Sequence, residues 1–389
     1  MKITKIESHV LLVPDYDSKA CSSAQDDIVV KIHTDEGIVG IGETDTNPWA
    51  AKAFINSPGT HCMALGINDL LIGKDPMDVE ALWENVYVST AMSGRRGLGI
   101  CVLGALDMAL WDVKGKALQK PVWELLGKAK HSNIHPYASL LPNGNTLKEY
   151  STSLREKLLQ AKKYGFDAAK LEICINGPYS HNGLQEPDSE LVKIVASCRE
   201  AVGSNMRLMI DVAYAWKDWR TALSTIEAVE PYDVYFMETP LRTDDLEAYA
   251  TLVERSKVPI AAGEWLQTRF EFHDLIDHGH VKVAQPDVGR VGGLTEARRV
   301  AEFASTRDRL VVPHCWKTGI GIAASAHLAV VSSNCPYIEY LPAELSESLI
   351  RKELVADELR MQDGVIPLPT KPGLGIELNE KAVAKYTVA

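Results

Sequence analysis

The feature of this sequence that most constrains its fold is a series of six short apolar runs, each of which ends on an ionisable residue. The runs LMID, VYFME, IAAGE, VAQPD, LVVPH and YIE end at Asp211, Glu238, Glu264, Asp287, His314 and Glu339. Successive end points lie 23 to 27 residues apart. One strand–helix unit of a TIM barrel takes about that length, so six units each deliver one ionisable side chain to the rim that carries the active site in such barrels.

Eight apolar runs alternate with amphipathic helical stretches from about residue 134 onward, which indicates an α/β fold with buried parallel strands. The runs are His135–Leu141, Ala168–Cys174, Arg207–Val212, Val234–Glu238, Ile260–Glu264, Val281–Gln285, Leu310–His314 and Tyr337–Leu341. Eight such strands favour a TIM-type barrel. A doubly wound sheet is the alternative, but the glycine clusters at 37–42 and 94–99 lack the spacing of a G-x-G-x-x-G phosphate turn.

The N-terminal third has a different pattern. Strands are predicted at Asp27–His33 and Ile38–Glu43, joined by a turn at Asp35–Gly37, and residues from about 49 to 126 have the pattern of helices. We therefore predict an α+β domain at 1–126, a barrel at 127–350, and a C-terminal segment at 351–389 that returns to the first domain.

Charge and cysteine content exclude several classes of protein. The formal net charge is −11, whereas a nucleic-acid partner requires a basic face. The seven cysteines form no CxxC pair, which argues against a disulfide framework or structural zinc and favours reduced thiols in the cytoplasm. We find no signal-peptide core and no apolar run of about 18 residues, so we expect no membrane partner.

Three of the rim residues, Asp211, Glu238 and Glu264, form a candidate metal site. An aspartate after a strand also fits a helix N-cap, but glutamate is a poor N-cap residue and three carboxylates converge here. Crowded carboxylates repel one another unless a cation lies among them. Hard oxygen ligands without cysteine favour Mg²⁺, or Mn²⁺, over zinc.

The neighbouring Asp287 and His314 form a candidate general-base dyad, because a carboxylate beside an imidazole fixes its tautomer and raises its basicity. A purely structural His–Asp pair is the alternative. Lys170 and Glu172 lie two apart on one strand and so share a face. Beside a metal, Lys170 is a candidate base with a depressed pKa or a holder of a substrate carboxylate. A solvated surface pair is the alternative reading of these two residues.

These residues and the segments around them resemble the mandelate racemase branch of the enolase superfamily over essentially the whole chain. The segments that carry the resemblance are KPVWELLG, QPDVGRVGGLTEARRVA, VPHCWKTGIGIAASAHLA and PGLGIEL. The resemblance implies a modified (β/α)7β barrel with an N-terminal capping domain, and often a homo-oligomer. It implies that Asp211, Glu238 and Glu264 bind the metal, that Asp287 and His314 form the base, and that Lys170 is the first lysine of a Lys-x-Lys motif.

The resemblance also implies that Glu339 hydrogen-bonds a substrate carboxylate. Glu172 departs from the family pattern, since the second lysine of Lys-x-Lys is the opposite-face base of the racemases. Three roles remain open for Glu172: it could act as a base, bind a substrate hydroxyl, or pair with Lys170. Two-base racemisation is therefore in doubt, while proton abstraction by His314 is not affected.

The expected reaction starts with removal of the α-proton of a small carboxylate substrate, which gives an ene-diolate. Loss of a β-hydroxyl makes the enzyme a sugar-acid dehydratase, the reading we favour; a racemase, epimerase or cycloisomerase is the alternative, and a non-enzymatic carboxylate-binding barrel is a further one. Loops around Val13–Asp26 and Thr46–Pro58 are expected to close over the site. Candidate substrate contacts are Trp265, Trp316, Lys317, Trp49, Tyr16 and Arg95.

Overall fold

The N-terminal part of the molecule is built on a three-stranded antiparallel sheet in the order β1-β2-β3. The computed structural model describes residues 1–18, 22 and 24–389. The three strands are β1 (Ile3–Leu12), β2 (Asp26–Thr34) and β3 (Val39–Thr44). The predicted hairpin is confirmed: Gly37 adopts a φ of +79° in the turn between β2 and β3, a conformation that glycine accepts without strain.

Six helices follow the sheet. They are α1 (Pro48–Asn56), α2 (Ile67–Leu71), α3 (Val79–Ser89), α4 (Ala91–Gly94), α5 (Leu98–Leu118) and α6 (Val122–Leu126). Helix α5 packs directly on β3, where Gly40 and Gly42 allow the close approach. A Cβ atom on Gly40 would lie 2.0 Å from the Ala109 carbonyl oxygen, and one on Gly42 would lie 2.0 Å from the Ala105 carbonyl oxygen. The glycine cluster at 37–42 thus serves backbone packing.

One predicted loop is largely a helix. The segment Thr46–Pro58 contains α1, and the side chain of Asn47 accepts a hydrogen bond from the Ala50 amide at its N-terminus. Proline at the first helical position is pre-organised for the helix, and asparagine is a favoured N-cap residue. The Asn47-Pro48 pair is therefore a helix start signal. The helical pattern predicted from about residue 49 is confirmed here, whereas the capping loop predicted at Thr46–Pro58 is wrong over the length of α1.

The second part of the chain forms a (β/α)7β barrel of eight parallel strands. After the short strand β4 (Asn133–Ile134) the barrel strands are β5 (Pro136–Leu140), β6 (Ala168–Glu172), β7 (Arg207–Asp211), β8 (Val234–Glu238), β9 (Ile260–Ala262), β10 (Val283–Ala284), β11 (Leu310–Val311) and β12 (Ile338–Tyr340). All eight overlap the predicted runs. Strand β12 pairs with β5, and the Glu339 amide donates to the Pro313 carbonyl at 3.4 Å beside β11, which closes the barrel.

Seven helical connections join these strands, and further elements follow β12. The helices are α7 (Leu147–Lys163), α8 (Asp188–Val202), α9 (Trp219–Val229), α10 (Leu246–Arg255), α11 (Thr268–Asp277), α12 (Val288–Val291), α13 (Gly293–Ser305), α14 (Gly319–Val331), α15 (Leu349–Glu353) and α16 (Glu380–Tyr386). Short 3₁₀ turns lie at His181–Gly183 and Glu230–Tyr232. The last strands are β13 (Val355–Asp357), β14 (Ile366–Pro367) and β15 (Glu377–Leu378).

A layer of buried side chains fills the barrel interior below the rim. Each strand, or the residue beside it, contributes one member: Tyr137, Ala168, Met209, Phe236, Ala261, Val283, Val312 and Tyr337. Side chains two positions further along a strand point to the same face. Lys170, Asp211 and Glu238 therefore also face inward, one layer nearer the carboxyl ends of the strands.

The two ends of the chain and the two parts of the fold are tied together. The Val388 amide donates to the Val10 carbonyl at 2.9 Å, so the C-terminal segment returns to β1. Glu43 of β3 accepts hydrogen bonds from the Thr318 and Gly321 amides and from the Thr318 hydroxyl, at the N-terminus of α14. A carboxylate is favourable at a helix N-terminus, so the capping domain caps a barrel helix.

Helix α14 also carries His327, which predicts a pH-dependent stability. Its Nδ1 accepts from the Trp123 amide and its Nε2 donates to the Leu374 carbonyl, both at 3.1 Å, so the ring is neutral. Burial lowers the pKa of His327 from 6.5 to about 4. The unfolded chain therefore takes up this proton first, and stability is lost as the pH falls from 6.5 towards 4, at about 1.4 kcal/mol per unit.

We expect the His327→Gln variant to show a shallower loss of melting temperature than the unmodified protein between pH 6.5 and 4.5. Thermal melts across this range measure the difference, and His278→Gln, which changes an exposed histidine, is the matched control. Parallel curves for His327→Gln and the unmodified protein would show that His327 is not the titrating group.

Candidate active site

Three carboxylates meet at the carboxyl ends of β7, β8 and β9. Asp211 and Glu238 are the last residues of β7 and β8 and lie in register, and Glu264 follows β9 by two residues. One oxygen from each lies within 4.8 Å of the others, and all three side chains are buried. The three strand-end carboxylates predicted from their regular spacing in the sequence therefore form a compact cluster of oxygen atoms.

The electrostatics of this cluster fit a bound cation. Burial and the neighbouring Asp211 carboxylate raise the pKa of Glu238, although Lys170 lowers it. Burial, followed by the charge of Asp211, likewise raises the pKa of Glu264 against the opposing effect of His314. Three buried, mutually repelling oxygen ligands without sulfur are the donor set of a hard divalent ion.

Further groups orient these carboxylates. One oxygen of Asp211 accepts from the Ala213 amide at 2.9 Å and from the Thr239 hydroxyl at 2.6 Å, and Gln285 donates to Glu238. Ala213 and Thr239 have φ values of +43° and +47°. Non-glycine residues in this left-handed region cluster at functional sites, where the surrounding structure holds them.

His314 and Asp287 form the predicted pair. The Nδ1 atom of His314 lies 2.7 Å from Asp287 Oδ2, while Asp287 Oδ1 accepts from the Gly289 and Arg290 amides and so is fixed as the N-cap of α12. Nε2 lies 3.3 Å from Glu264 Oε2. Burial lowers the pKa of His314, but Glu339, Asp287 and Glu264 outweigh it and raise the pKa to about 9.

Lys170 is fully enclosed, so a solvated surface pair is excluded. Its Nζ lies 2.6 Å from Glu238, 2.8 Å from Glu339 and 3.7 Å from Asp211. Burial lowers its pKa, but these carboxylates outweigh it and raise the pKa above its usual value. The anions around the ammonium stabilise its charged form in the absence of a metal ion, and the depressed pKa expected beside a bound metal stays a prediction.

Glu339 is fully buried and is not among the residues that line the cavity above the carboxylates. Its oxygens accept from the Ser139 hydroxyl at 2.6 Å and the Cys315 amide at 2.8 Å, in addition to Lys170. Glu339 thus pairs with the Lys170 ammonium at 2.8 Å, and its contact with a substrate carboxylate stays a prediction.

Glu172 pairs with a residue that the sequence reasoning missed. Its Oε1 lies 3.2 Å from Nε2 of His181, and among the described residues the ion pairs of Lys170 do not include it. The pairing of Glu172 with Lys170, one of three roles left open, is therefore not observed. His181 follows β6 within an irregular loop, where periodicity carries no signal.

A cavity of about 370 Å³ opens above these groups. It is lined by Ser22, Lys170, Glu172, Tyr179, His181, Asp211, Ala213, Glu264, Trp265, Arg290, His314 and Trp316. Trp265 is 43% exposed and stacks on Tyr214 with ring centroids 4.3 Å apart, while Tyr179 meets it edge-on at 5.2 Å. Trp265 and Trp316 thus lie where substrate contacts were predicted.

The other predicted substrate contacts lie elsewhere. Tyr16, Trp49 and Arg95 are exposed and do not line the cavity. Ser22 of the predicted Val13–Asp26 loop does line it, and residues 19–21 and 23 of that loop lie outside the described residues. Arg290, which lines the cavity and pairs with Asp45 of the capping domain, was not singled out from the sequence.

Lys317 is also placed differently from the prediction. Its buried ammonium lies 2.8 Å from Asp26 and 3.1 Å from Asp45, so it joins the capping domain to the barrel. We expect Lys317→Met to lower the free energy of unfolding by about 1–3 kcal/mol, because it removes the cation that faces Asp26 and Asp45, of which Asp45 keeps Arg290 as a partner. Thermal melts test this, with the exposed Lys148→Met as control. An unchanged melting temperature together with a raised KM would instead indicate that Lys317 contacts the substrate, as the sequence analysis predicted.

A capped barrel whose rim joins a carboxylate triad to a His–Asp pair is the architecture of the enolase superfamily. Residues 4–127 match the mandelate racemase/muconate lactonizing enzyme N-terminal domain, and residues 153–382 match the enolase C-terminal domain-like family. The chain belongs to the mandelate racemase/muconate lactonizing enzyme family.

Relatives of known activity match it over nearly its whole length. It is 33% identical to a D-galactonate dehydratase of Pectobacterium atrosepticum, over 98% of this chain and 94% of the relative. It is 28% identical to a D-galactarolactone cycloisomerase of Agrobacterium fabrum, over 99% of each chain. The solved 3,6-anhydro-D-galactonate cycloisomerase of Zobellia galactanivorans is 30% identical over 100% of both chains, with a TM-score of 0.85. No helix among the described residues is long and apolar enough to cross a membrane.

Proposed function

We propose that this protein is a Mg²⁺-dependent dehydratase that converts a sugar acid to a 2-keto-3-deoxy acid. The observation that carries the proposal is the placement of His314, held by Asp287 at 2.7 Å, in one cavity with Asp211 and Glu264 of the carboxylate triad. A carboxylate-binding protein needs no base there, whereas α-proton abstraction requires one. We further place the enzyme in the cytoplasm as a homo-oligomer, in keeping with the free thiols of the cysteines that the structure describes and with its family.

The metal ligands, the lysine and the His–Asp pair have separate roles in the proposed reaction. Asp211, Glu238 and Glu264 would hold the Mg²⁺ ion, which supplies positive charge to stabilise the carboxylate of the substrate as its α-carbon is deprotonated. The Lys170 ammonium adds a second fixed positive charge at this point. His314 in its neutral form would take the α-proton at Nε2, and Asp287 would stabilise the imidazolium that forms. A cation held beside Glu264 would favour that neutral form, because it offsets the carboxylate charges that raise the pKa of His314.

Dehydration is supported by Glu172 and His181, two polar groups that line the same cavity as the base His314. Glu172 stands where a racemase of this family carries a lysine, which argues against two-base racemisation. The dehydratase relative, at 33% identity over almost the full chain, supports the same reaction class. Cycloisomerisation is the second candidate, because two cycloisomerases match the chain over 99% or more of its length.

A screen of aldonates and aldarates, including D-galactonate, tests the proposal. The purified enzyme with Mg²⁺ is expected to form a 2-keto acid from at least one of them, detected as its semicarbazone. A product that keeps the mass of its lactone substrate would favour the cycloisomerase instead. Absence of both product and α-proton exchange in D₂O across the library would contradict an enzymatic function of this site.

A further inference from the structure

Glu172 and His181 form a second pair of proton-carrying groups at the cavity. Glu172 is the last residue of β6 and lies in register with Asp211 of β7. The loop after β6 turns back so that the His181 amide donates to the Cys174 carbonyl at 2.9 Å. This brings Nε2 of His181 to 3.2 Å from Glu172 Oε1, and both side chains line the cavity.

The hydrogen bonds of Tyr150 determine how many protons this pair holds. The Tyr150 hydroxyl donates to the Glu172 carbonyl at 2.7 Å and accepts from the Cys174 amide at 3.0 Å. Its remaining contact is His181 Nδ1 at 3.2 Å. A hydroxyl has one proton to donate and two lone pairs. Nδ1 is therefore a donor to Tyr150, and the bond between His181 Nε2 and Glu172 Oε1 contains one further proton.

That proton is shared between an imidazolium–carboxylate and an imidazole–carboxylic acid form. Burial lowers the pKa of His181, but its hydrogen bond to Glu172 and the carboxylate charge raise it above its usual value. Within the pair, Glu172 is the member next to Asp211, with which it lies in register. A carboxyl group placed in this way is a general acid towards a leaving hydroxyl.

The barrel order places this pair opposite the base. The carboxylate triad occupies the ends of β7, β8 and β9. Glu172 lies on β6, before the triad, while Asp287 and His314 follow β10 and β11, beyond it. A substrate carboxylate at the triad thus has a proton acceptor on one side and a proton donor on the other.

We propose that Glu172, supplied with a proton through His181, protonates the departing β-hydroxyl of the sugar acid; this inference rests on the proposed dehydratase function. His314 takes the C2 proton, the electron pair of the C2–H bond forms the C2–C3 double bond, and the C3–O bond breaks as the hydroxyl takes the Glu172 proton and leaves as water. The enol then becomes the 2-keto acid: C3 gains a proton from His314 and the enol hydroxyl returns one to the Glu172–His181 pair.

The test uses the full-length Mg²⁺-loaded enzyme and Glu172→Gln. With D-galactonate, or the aldonate that turns over in its place, we expect the 2-keto acid to form more slowly by on the order of 10²- to 10³-fold. Exchange of the C2 proton in D₂O is expected to persist within about tenfold, because His314 is intact. The 3-deoxy-3-fluoro analogue should also react within about tenfold of the unmodified enzyme, since fluoride leaves without a strong acid.

Two further variants keep the test decisive. Tyr150→Phe removes the group that fixes His181 Nδ1 and should show the same pattern more weakly, while Glu156→Gln, on the exposed face of α7, should match the unmodified enzyme. Equal loss of exchange, dehydration and fluoride release in Glu172→Gln would overturn the assignment, as would full retention of all three. If the unmodified enzyme gives neither exchange nor keto acid with any aldonate, the proposed function itself fails, a result that the variants cannot mimic.

Discussion

His314→Asn is expected to reduce kcat by on the order of 10³-fold or more while Mg²⁺ affinity stays nearly unchanged. Removal of a positioned general base typically costs 10²- to 10⁴-fold, roughly, and here the lost base faces the substrate side of the cavity. Asparagine keeps a polar group beside Asp287 but has no group that accepts a proton at neutral pH. Steady-state kinetics and loss of C2-proton exchange in D₂O measure the effect.

The control for this experiment is His280→Asn. His280 is exposed and adopts a φ of +59°, a conformation that asparagine tolerates, so the change leaves fold and activity intact. Calorimetric titration with Mg²⁺ separates a lost base from a damaged metal site. Activity of His314→Asn within about tenfold of the unmodified enzyme would show that the His–Asp pair has a structural role only.

Glu238→Gln is expected to weaken Mg²⁺ binding by at least about 100-fold and to remove most activity at physiological Mg²⁺. Loss of groups that merely orient metal ligands costs roughly 10- to 100-fold in affinity, and Glu238 is the central member of the triad. The change also removes the nearest anion to the Lys170 ammonium, which lies 2.6 Å away. Chelation of the unmodified enzyme should give the same loss, restored by added Mg²⁺.

The exposed Glu254→Gln on α10 is the matched control, because it removes one carboxylate far from the cavity. Millimolar Mg²⁺ is expected to restore part of the Glu238→Gln activity, since Asp211 and Glu264 remain. Unchanged Mg²⁺ affinity in this variant, or activity that survives exhaustive chelation, would contradict the assignment of the triad as a metal site.

The strand-end residues could be predicted because two local regularities fix them. Asp211 and Glu238 follow from strand periodicity and from the constant length of a strand–helix unit, which brings successive strand ends to one rim. The His314–Asp287 contact follows from the same regular spacing of strand ends, since the two residues follow neighbouring strands. These contacts need no knowledge of any loop.

The remainder of the site depends on loops and on contacts between distant parts of the chain. His181 reaches Glu172 through an irregular turn, and the surroundings of Lys317 come from Asp26 and Asp45 in the other domain. The direction of the Lys170 pKa shift without a metal ion was also beyond prediction, because it requires the count of carboxylates around the ammonium. Sequence periodicity contains none of this information.

Glu43 has a consequence for engineering this enzyme. It sits on β3, yet it satisfies the amides that open α14, the helix that follows the loop carrying His314. A graft of the capping domain from another sugar-acid enzyme would therefore replace the specificity loops and would also remove the contact that supports the helix after His314. Chimeras that carry Glu43 and Thr318 together should tolerate such exchanges, and those that separate them should lose turnover even when the new cap fits its substrate.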